Sequence, residues 1–130
     1  MKYSDKVVTR LMNPKHVGTF DEQEPNVGTG LVGSPVCGDV MQMQLKVDAT
    51  GRIVDVRFKT FGCGSAVASS EYAAELLIGR TLGEVSQIRN QQIADDLELP
   101  PIKVHCSVLA EDAIKAAVED LRKKNPELFG

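Results

Sequence analysis

Cys37, Cys63 and Cys106 each fall at a junction between loop and regular structure, and His105 directly precedes the last of them. Three thiolates and an imidazole make four soft donors. That number closes the shell of one tetrahedral metal ion or serves the two irons of a [2Fe–2S] cluster. With 3 cysteines in the chain, no thiol is left over. A structural core cysteine sits inside a helical or strand run as a small hydrophobe, and none of these three does. There is no C-x-x-C pair, which sets aside the zinc-ribbon, thioredoxin and common ferredoxin patterns. Donors drawn from three separate loops suit a site that is loaded and emptied better than a permanent structural one.

The neighbours of these donors sharpen the reading. Cys63 and Cys106 each precede a predicted helix N-terminus, whose positive end lowers a thiol pKa, so both thiols are expected to be more nucleophilic than free cysteine. Glycines at 38, 62 and 64 let the backbone approach a ligand closely. Asp39 has two readings: a local group that caps the start of a strand or is simply solvated, or a carboxylate at the rim of the site that competes for iron as a hard ligand. His105 reads as a ligand or proton carrier, and His16, without such neighbours, as a surface residue. Three classes of function are open to this donor set. One is a cluster scaffold. Another is a structural zinc protein. The third is a thiol enzyme with Cys63 or Cys106 as nucleophile, His105 as base and Asp39 as orienter; adjacency of His105 and Cys106 in sequence is a poor arrangement for a catalytic base.

The elements that must position these groups are legible in part. Met41, Met43, Leu45 and Val47 alternate with polar residues, and so do Val54, Val56 and Phe58 after Asp48-Ala49-Thr50-Gly51. Both runs have period two, which predicts a hairpin with one buried face. For the apolar sets to share a face, paired residue numbers must sum to an odd value. A sum of 101 leaves the loop Ala49–Arg52 and sets Cys63 opposite Gly38; a sum of 99 sets it opposite Val36. Either register brings Cys63 beside Cys37. A short helix over 4–11 is predicted, capped by Ser4, with Val7, Val8 and Leu11 on one side. Residues 15–38, rich in glycine and proline, read as a loop-rich arm with one short strand near Leu31–Val32. A helix from Ala66 to Ile78 follows, capped by Ser65 and stopped by Gly79. Thr81–Ser86 and Gln91–Leu97 read as short helices. Leu99-Pro100-Pro101 breaks the pattern, and a last helix starts near Ser107 and ends by Asn125-Pro126, with Ala110, Ala113, Ile114, Ala117, Val118 and Leu121 facing the core. Strands first and helices later predict an α+β fold, a small antiparallel sheet with helices packed on one face.

At 130 residues one domain, 1–130, is the natural count, with residues 1–30 as an N-terminal arm that hints at mobility. The sequence is 42% hydrophobic but only 5% aromatic and has no Trp, so the core is expected to be aliphatic. A net charge of −3 offers no basic face for nucleic acid. No apolar run reaches the length of a membrane span, and no signal-peptide core is present. These features read as a soluble intracellular protein in which cysteine stays reduced.

Four segments carry a family resemblance: Asn26–Gly30, Gly33–Met41, Phe58–Ala66 and Leu99–Ser107. In this order they closely resemble the IscU/NifU N-terminal family of iron–sulfur cluster scaffold proteins, over essentially the whole chain and in its stand-alone form. The resemblance implies a three-stranded antiparallel sheet and a non-enzymatic role. Such a scaffold receives persulfide sulfur from a cysteine desulfurase, iron from a frataxin-like donor and electrons from a ferredoxin. It builds a [2Fe–2S] cluster and passes it to apo iron–sulfur proteins. By motif, Cys37, Cys63 and Cys106 correspond to the cluster ligands. His105 corresponds to the fourth ligand or an exchange partner, and Asp39 to the residue that tunes release. Cys106 and Cys63 are both candidates for the persulfide acceptor. Zinc suits the same donors in purified material. Leu99, Pro100, Pro101, Ile102 and Lys103 resemble the family's Leu-Pro-Pro-Val-Lys docking motif for an Hsp70-type chaperone and its J-protein, with Ile102 in place of Val. Leu11–His16 matches the family's Tyr-x-Asn-Pro-Arg-Asn stretch only in part. The implied compartment is the bacterial cytoplasm, or the mitochondrial matrix in a eukaryote.

Overall fold

The alternating run 41–47 forms the middle of the sheet. The computed structural model describes residues 3–34, 39–85 and 87–129, without the side chains of 34, 128 and 129. In it β1 (Val27–Ser34), β2 (Asp39–Val47) and β3 (Ile53–Phe61) form one antiparallel sheet in the order β1-β2-β3. The β2–β3 pairs sum to 101, from Val40 opposite Phe61 to Lys46 opposite Asp55. A shift then places Val47 opposite Ile53. Burial explains this bulge: it turns Ile53 into the core and leaves Val54 exposed. The inward set of β3 is therefore Ile53, Val56 and Phe58, not the expected Val54, Val56 and Phe58. The connection lengthens to Asp48–Arg52, where Asp48 Oδ1 accepts from the N–H groups of Thr50 and Arg52 and Gly51 takes φ 85°. Cys37, and with it the expected approach of Cys63 to Cys37, lies outside the described residues, as does Ser86.

Within residues 15–38 the strand expected near Leu31–Val32 is present but longer, an eight-residue strand over Val27–Ser34. Its glycines serve packing. The long helix α5 (His105–Lys124) lies directly on β1. A Cβ added at Gly28 would fall 2.3 Å from the carbonyl oxygen of Ala117, and one at Gly30 would fall 2.2 Å from that of Ala113. Gly33, further along the same strand, meets nothing closer than 3.6 Å. Gly30→Val is therefore expected to destabilise the protein by about 3 kcal/mol, and Gly33→Val by no more than about 0.5 kcal/mol. Urea midpoints at constant m-value check the contrast.

The helices cover the inner face of the sheet: α2 (Gly64–Leu77) packs against β3, and α5 against β1 and β2. Met41, Met43, Leu45, Ile53 and Phe58 are sealed between them with Leu77, Ala113, Ala117 and Leu121. Phe58 is the one aromatic among the buried hydrophobics described. The outer face is not simply solvated, as one-sided patterning suggests. Gln44 is buried there, accepting from Phe20 N–H at 2.7 Å and donating to Thr29 Oγ1 at 3.0 Å. α1 (Asp5–Met12) is capped by Ser4, whose Oγ accepts from Val7 N–H, and it buries Val7 but exposes Val8. Two short helices, α3 (Leu82–Val85) and α4 (Asn90–Asp96), lead to a 3₁₀ turn at Pro101–Lys103.

Two helix starts differ from expectation, and both differences reshape the site. α2 begins at Gly64 with Cys63 at its N-cap, because Ala66 N–H bonds Cys63 O; Ser65 is buried inside the first turn with no partner for its hydroxyl. α5 begins at His105, not near Ser107. Val104 already has helical dihedrals and the 3₁₀ turn runs straight into the helix, while Ser107 Oγ donates to Val104 O.

Candidate metal centre

Asp39 opens β2, Cys63 caps α2, and His105 and Cys106 are the first two residues of α5. Three elements thus deliver four side chains to one end of the sheet. Asp39 is 5% exposed. Its carboxylate occupies the space beside Gly62, where a Cβ would lie 2.4 Å from Oδ1. A glycine at 62 makes room for it. Asp39 Oδ2 lies 2.8 Å from His105 Nε2 and 4.0 Å from Cys106 Sγ. Cys106 Sγ is 3.6 Å from Cys63 Sγ and 3.5 Å from His105 Nε2. His105 Nδ1 faces Ile102 O at 3.2 Å, which orients the ring. The donor atoms of Asp39, Cys63 and Cys106 all lie within 4.8 Å of one another. Thiolates on one tetrahedral ion at its usual bond length stand about 3.7 Å apart, so the sulfur pair is already spaced for a shared metal.

The electrostatics divide the two thiols. Burial works against ionising Cys63, but the N–H groups of Ala66 and Ser65, the Cys106 thiol and the Lys103 ammonium outweigh it, and its pKa falls below the ordinary value. Cys106 goes the other way. Burial, the shared contact with Cys63 and the Asp39 charge push its thiol well above the ordinary range. The expectation that both thiols are activated is corrected for Cys106. It lies inside the first turn of α5 with no exposure, where desolvation exceeds the helix-end effect. Of the two, Cys63 is the thiol that ionises first, with the Cys106 S–H placed to donate to it.

Asp39 is neither solvated nor a purely local cap, since its partner is His105, 66 residues away. His16 is not a free surface residue: its Nδ1 lies 2.6 Å from Glu71 Oε2, and Glu71 is 2% exposed. Neither member of that pair carried a sequence signal, because they stand 55 residues apart. Lys103 closes the Leu99–Lys103 motif, and its charge also faces Cys63. In that motif Leu99 is buried, Pro100 is extended, and Pro101–Lys103 form a 3₁₀ turn with Pro101 and Ile102 exposed. The segment is therefore not extended throughout. Among the described residues no helix is long and apolar enough to cross a membrane.

Known proteins share both sequence and shape with this chain. The model of the NifU-like N-terminal domain matches residues 2–127. The iron–sulfur cluster assembly scaffold protein IscU of Azotobacter vinelandii is 60% identical over 124 residues, covering 95% of this chain and 97% of the relative. Its counterpart in Escherichia coli K12 is 56% identical over the same length, covering 95% and 97%. Iron–sulfur cluster assembly protein 1 of Arabidopsis thaliana is 57% identical over 129 residues, covering 98% of this chain and 77% of the relative. The crystal structure of a nitrogen-fixing NifU-like protein (N-terminal) from Brucella abortus superposes with a TM-score of 0.75 at 21% identity, covering 93% of this chain and 94% of that one, a likeness of fold.

Proposed function

The chain belongs to the family of NifU-like N-terminal domains, and on that premise we propose that it is a scaffold on which a [2Fe–2S] cluster is assembled and from which the cluster is passed to apo-proteins. One observation carries the reading: Asp39, Cys63 and Cys106 bring donors from three different elements within 4.8 Å. Two soft sulfurs, a hard carboxylate and the adjacent His105 ring suit iron as cargo. The Asp39–His105 hydrogen bond occupies both partners' ligand atoms, so a metal enters by displacing a proton. Cys37 completes the proposed ligand set.

Cys63 is the better persulfide acceptor. Its thiolate attacks the outer sulfur of the desulfurase persulfide, the desulfurase thiolate leaves, and a Cys63 persulfide results. Two electrons from a ferredoxin-type donor then release sulfide, and a frataxin-like partner supplies iron. The chain itself turns over no substrate. Exposed Leu31, Val40 and Phe61 stand on the outer face of the sheet beside Asp39 and Gly62. They suit docking of such protein partners next to the site. For an Hsp70-type chaperone and its J-protein, Leu99–Lys103 is the docking segment, with its 3₁₀ turn unwinding in the groove. The bacterial cytoplasm or the mitochondrial matrix is the compartment.

Anaerobic loading with ferrous iron, sulfide and thiol tests the proposal. A brown protein with Mössbauer and resonance Raman signatures of a [2Fe–2S] centre is expected, and a colourless product overturns it. The structural-zinc alternative makes a different demand, unfolding on chelation. The scaffold keeps its far-UV circular dichroism when zinc is removed.

A further inference from the structure

We propose that Glu71 is a positioning residue: its buried carboxylate clamps the segment after α1 to the edge of the sheet and so holds α1 closed over the Cys63 side of the site. Glu71 lies on α2, eight residues beyond Cys63 and away from the metal centre. Its Oε1 accepts from the backbone N–H groups of Lys15 and His16 at 2.8 and 2.9 Å, and its Oε2 meets His16 Nδ1 at 2.6 Å. A carboxylate at 2% exposure is tolerated only where polar partners replace its water. Every partner here belongs to two consecutive residues of the arm.

Those two residues connect α1 to β3. Downstream, His16 O accepts from Phe58 N–H at 2.9 Å and Gly18 N–H donates to Phe58 O at 3.0 Å. Val17 thereby bridges Phe58 in parallel on the free edge of β3. Upstream, α1 lies across the start of α2. Leu11 Cδ2 is 2.8 Å from where a Cβ on Gly64 would sit, and a Tyr3 ring carbon is 3.6 Å from the same point. Gly64 is the residue after Cys63, so these side chains stand against the first turn of the helix that Cys63 caps. Other ties on α1 are the Arg10–Glu75 ion pair, the Lys6–Glu98 ion pair and the Ser4 hydroxyl on Leu97 O. The Lys6–Glu98 pair is solvent-facing and contributes little; Arg10 makes two bonds to Glu75 and lies over the Tyr72 ring, and Val7 is buried in the core, so these hold the middle of α1 while Glu71 holds the segment that follows it. Pro14, next after the helix cap Asn13, has no N–H to offer. Glu71 is thus the buried anchor at the end of α1, and losing it leaves the Lys15 and His16 N–H groups without an acceptor.

The test uses metal-free full-length protein, so its outcome does not depend on whether a cluster loads. Alkylation by iodoacetamide is followed at Cys63 and Cys106 by peptide mass spectrometry, with hydrogen exchange at the Phe58 and Gly18 amides. Glu71→Ala is expected to raise the Cys63 rate by about tenfold, through loss of hydrogen bonds to a charged acceptor and local opening. Both amides lose protection, and Cys106 keeps its wild-type rate. Glu71→Gln retains an oxygen for the two N–H groups and should stay within about twofold of wild type. An unchanged Cys63 rate in the Ala variant, equal acceleration of both cysteines, or a Gln variant as fast as Ala overturns the clamp. If Glu71→Ala does not fold, His16→Ala carries the test. It removes only the ring contact and is expected to speed Cys63 about threefold; no change overturns the proposal.

Discussion

Cys106→Ser is expected to fold normally and remain colourless after anaerobic loading, with visible absorbance below about a tenth of wild type, because thiolate sulfur is the donor iron–sulfur clusters select. Cys106 contributes its sulfur from the first turn of α5, 3.6 Å from Cys63 Sγ. Serine there is nearly isosteric and sits well in a first helical turn, so the loss of stability should be about 1 kcal/mol. Its hydroxyl does not ionise at neutral pH and would be a poorer ligand to cluster iron than a thiolate. The variant should still take zinc, weakly, through Asp39, Cys63 and His105. That split separates a damaged cluster site from a collapsed protein. It is read from the absorption spectrum after loading, a zinc titration and far-UV circular dichroism on the same samples. A brown Cys106→Ser protein with wild-type absorbance would remove Cys106 from the ligand set. The core supports the expectation of retained folding. Met41, Met43, Leu45 and Phe58 pack against α2 and α5 along the length of the sheet, and the donors stand at one end of it.

The parts of this architecture that sequence made legible are those governed by short-range pattern. Alternation through 41–47 and 54–58 restricted the hairpin register to an odd sum and left 101 and 99 open; the folded sheet takes 101. Only the last pair slipped, because Ile53 competes with Val54 for the inward position and wins the burial. The glycines of β1 misled for a physical reason: a glycine chosen because a helix backbone lies 2.2 Å from its missing Cβ looks, in one dimension, like a glycine chosen for a turn. Cys63 and Cys106 stood out by type and spacing, but their unequal ionisation depends on burial that no local window contains. The same holds for Asp39 with His105 and for His16 with Glu71, since each pair meets only after the sheet and helices close. Lys103 lay inside a recognisable motif, and that motif concealed its second role, as a charge facing Cys63.

Asp39→Ala is expected to slow cluster transfer to an apo-ferredoxin by about tenfold, equivalent to about 1.4 kcal/mol. With the proposed ligand set, metal uptake would have to displace the proton of Cys106, which burial, Cys63 and the Asp39 carboxylate together hold in place. Because the folded-state pKa of this thiol is raised, it is protonated at neutral pH and each uptake event releases that proton. Affinity for zinc or ferrous iron should therefore rise with pH, by about tenfold per unit for each proton displaced. Removing Asp39 deletes one of the groups that favour the protonated thiol, so the pH profile moves toward lower pH. It also frees His105 Nε2 from its 2.8 Å contact and leaves sulfur and imidazole as the site's donors. On the proposed reading, the carboxylate 4.0 Å from Cys106 Sγ is the hard ligand that would replace sulfur on iron, and without it that exchange route would close and the cluster would stay. Asp39→Asn separates the two contributions, since the amide oxygen can still accept from His105 while the charge is gone. Its pH profile should shift as far as that of the Ala variant, and its transfer rate should fall between the two. Transfer followed by the visible spectrum, alongside zinc competition from pH 6 to 9, provides both readings. A cluster lost from Asp39→Ala as fast as from wild type would mean that Asp39 does not govern release.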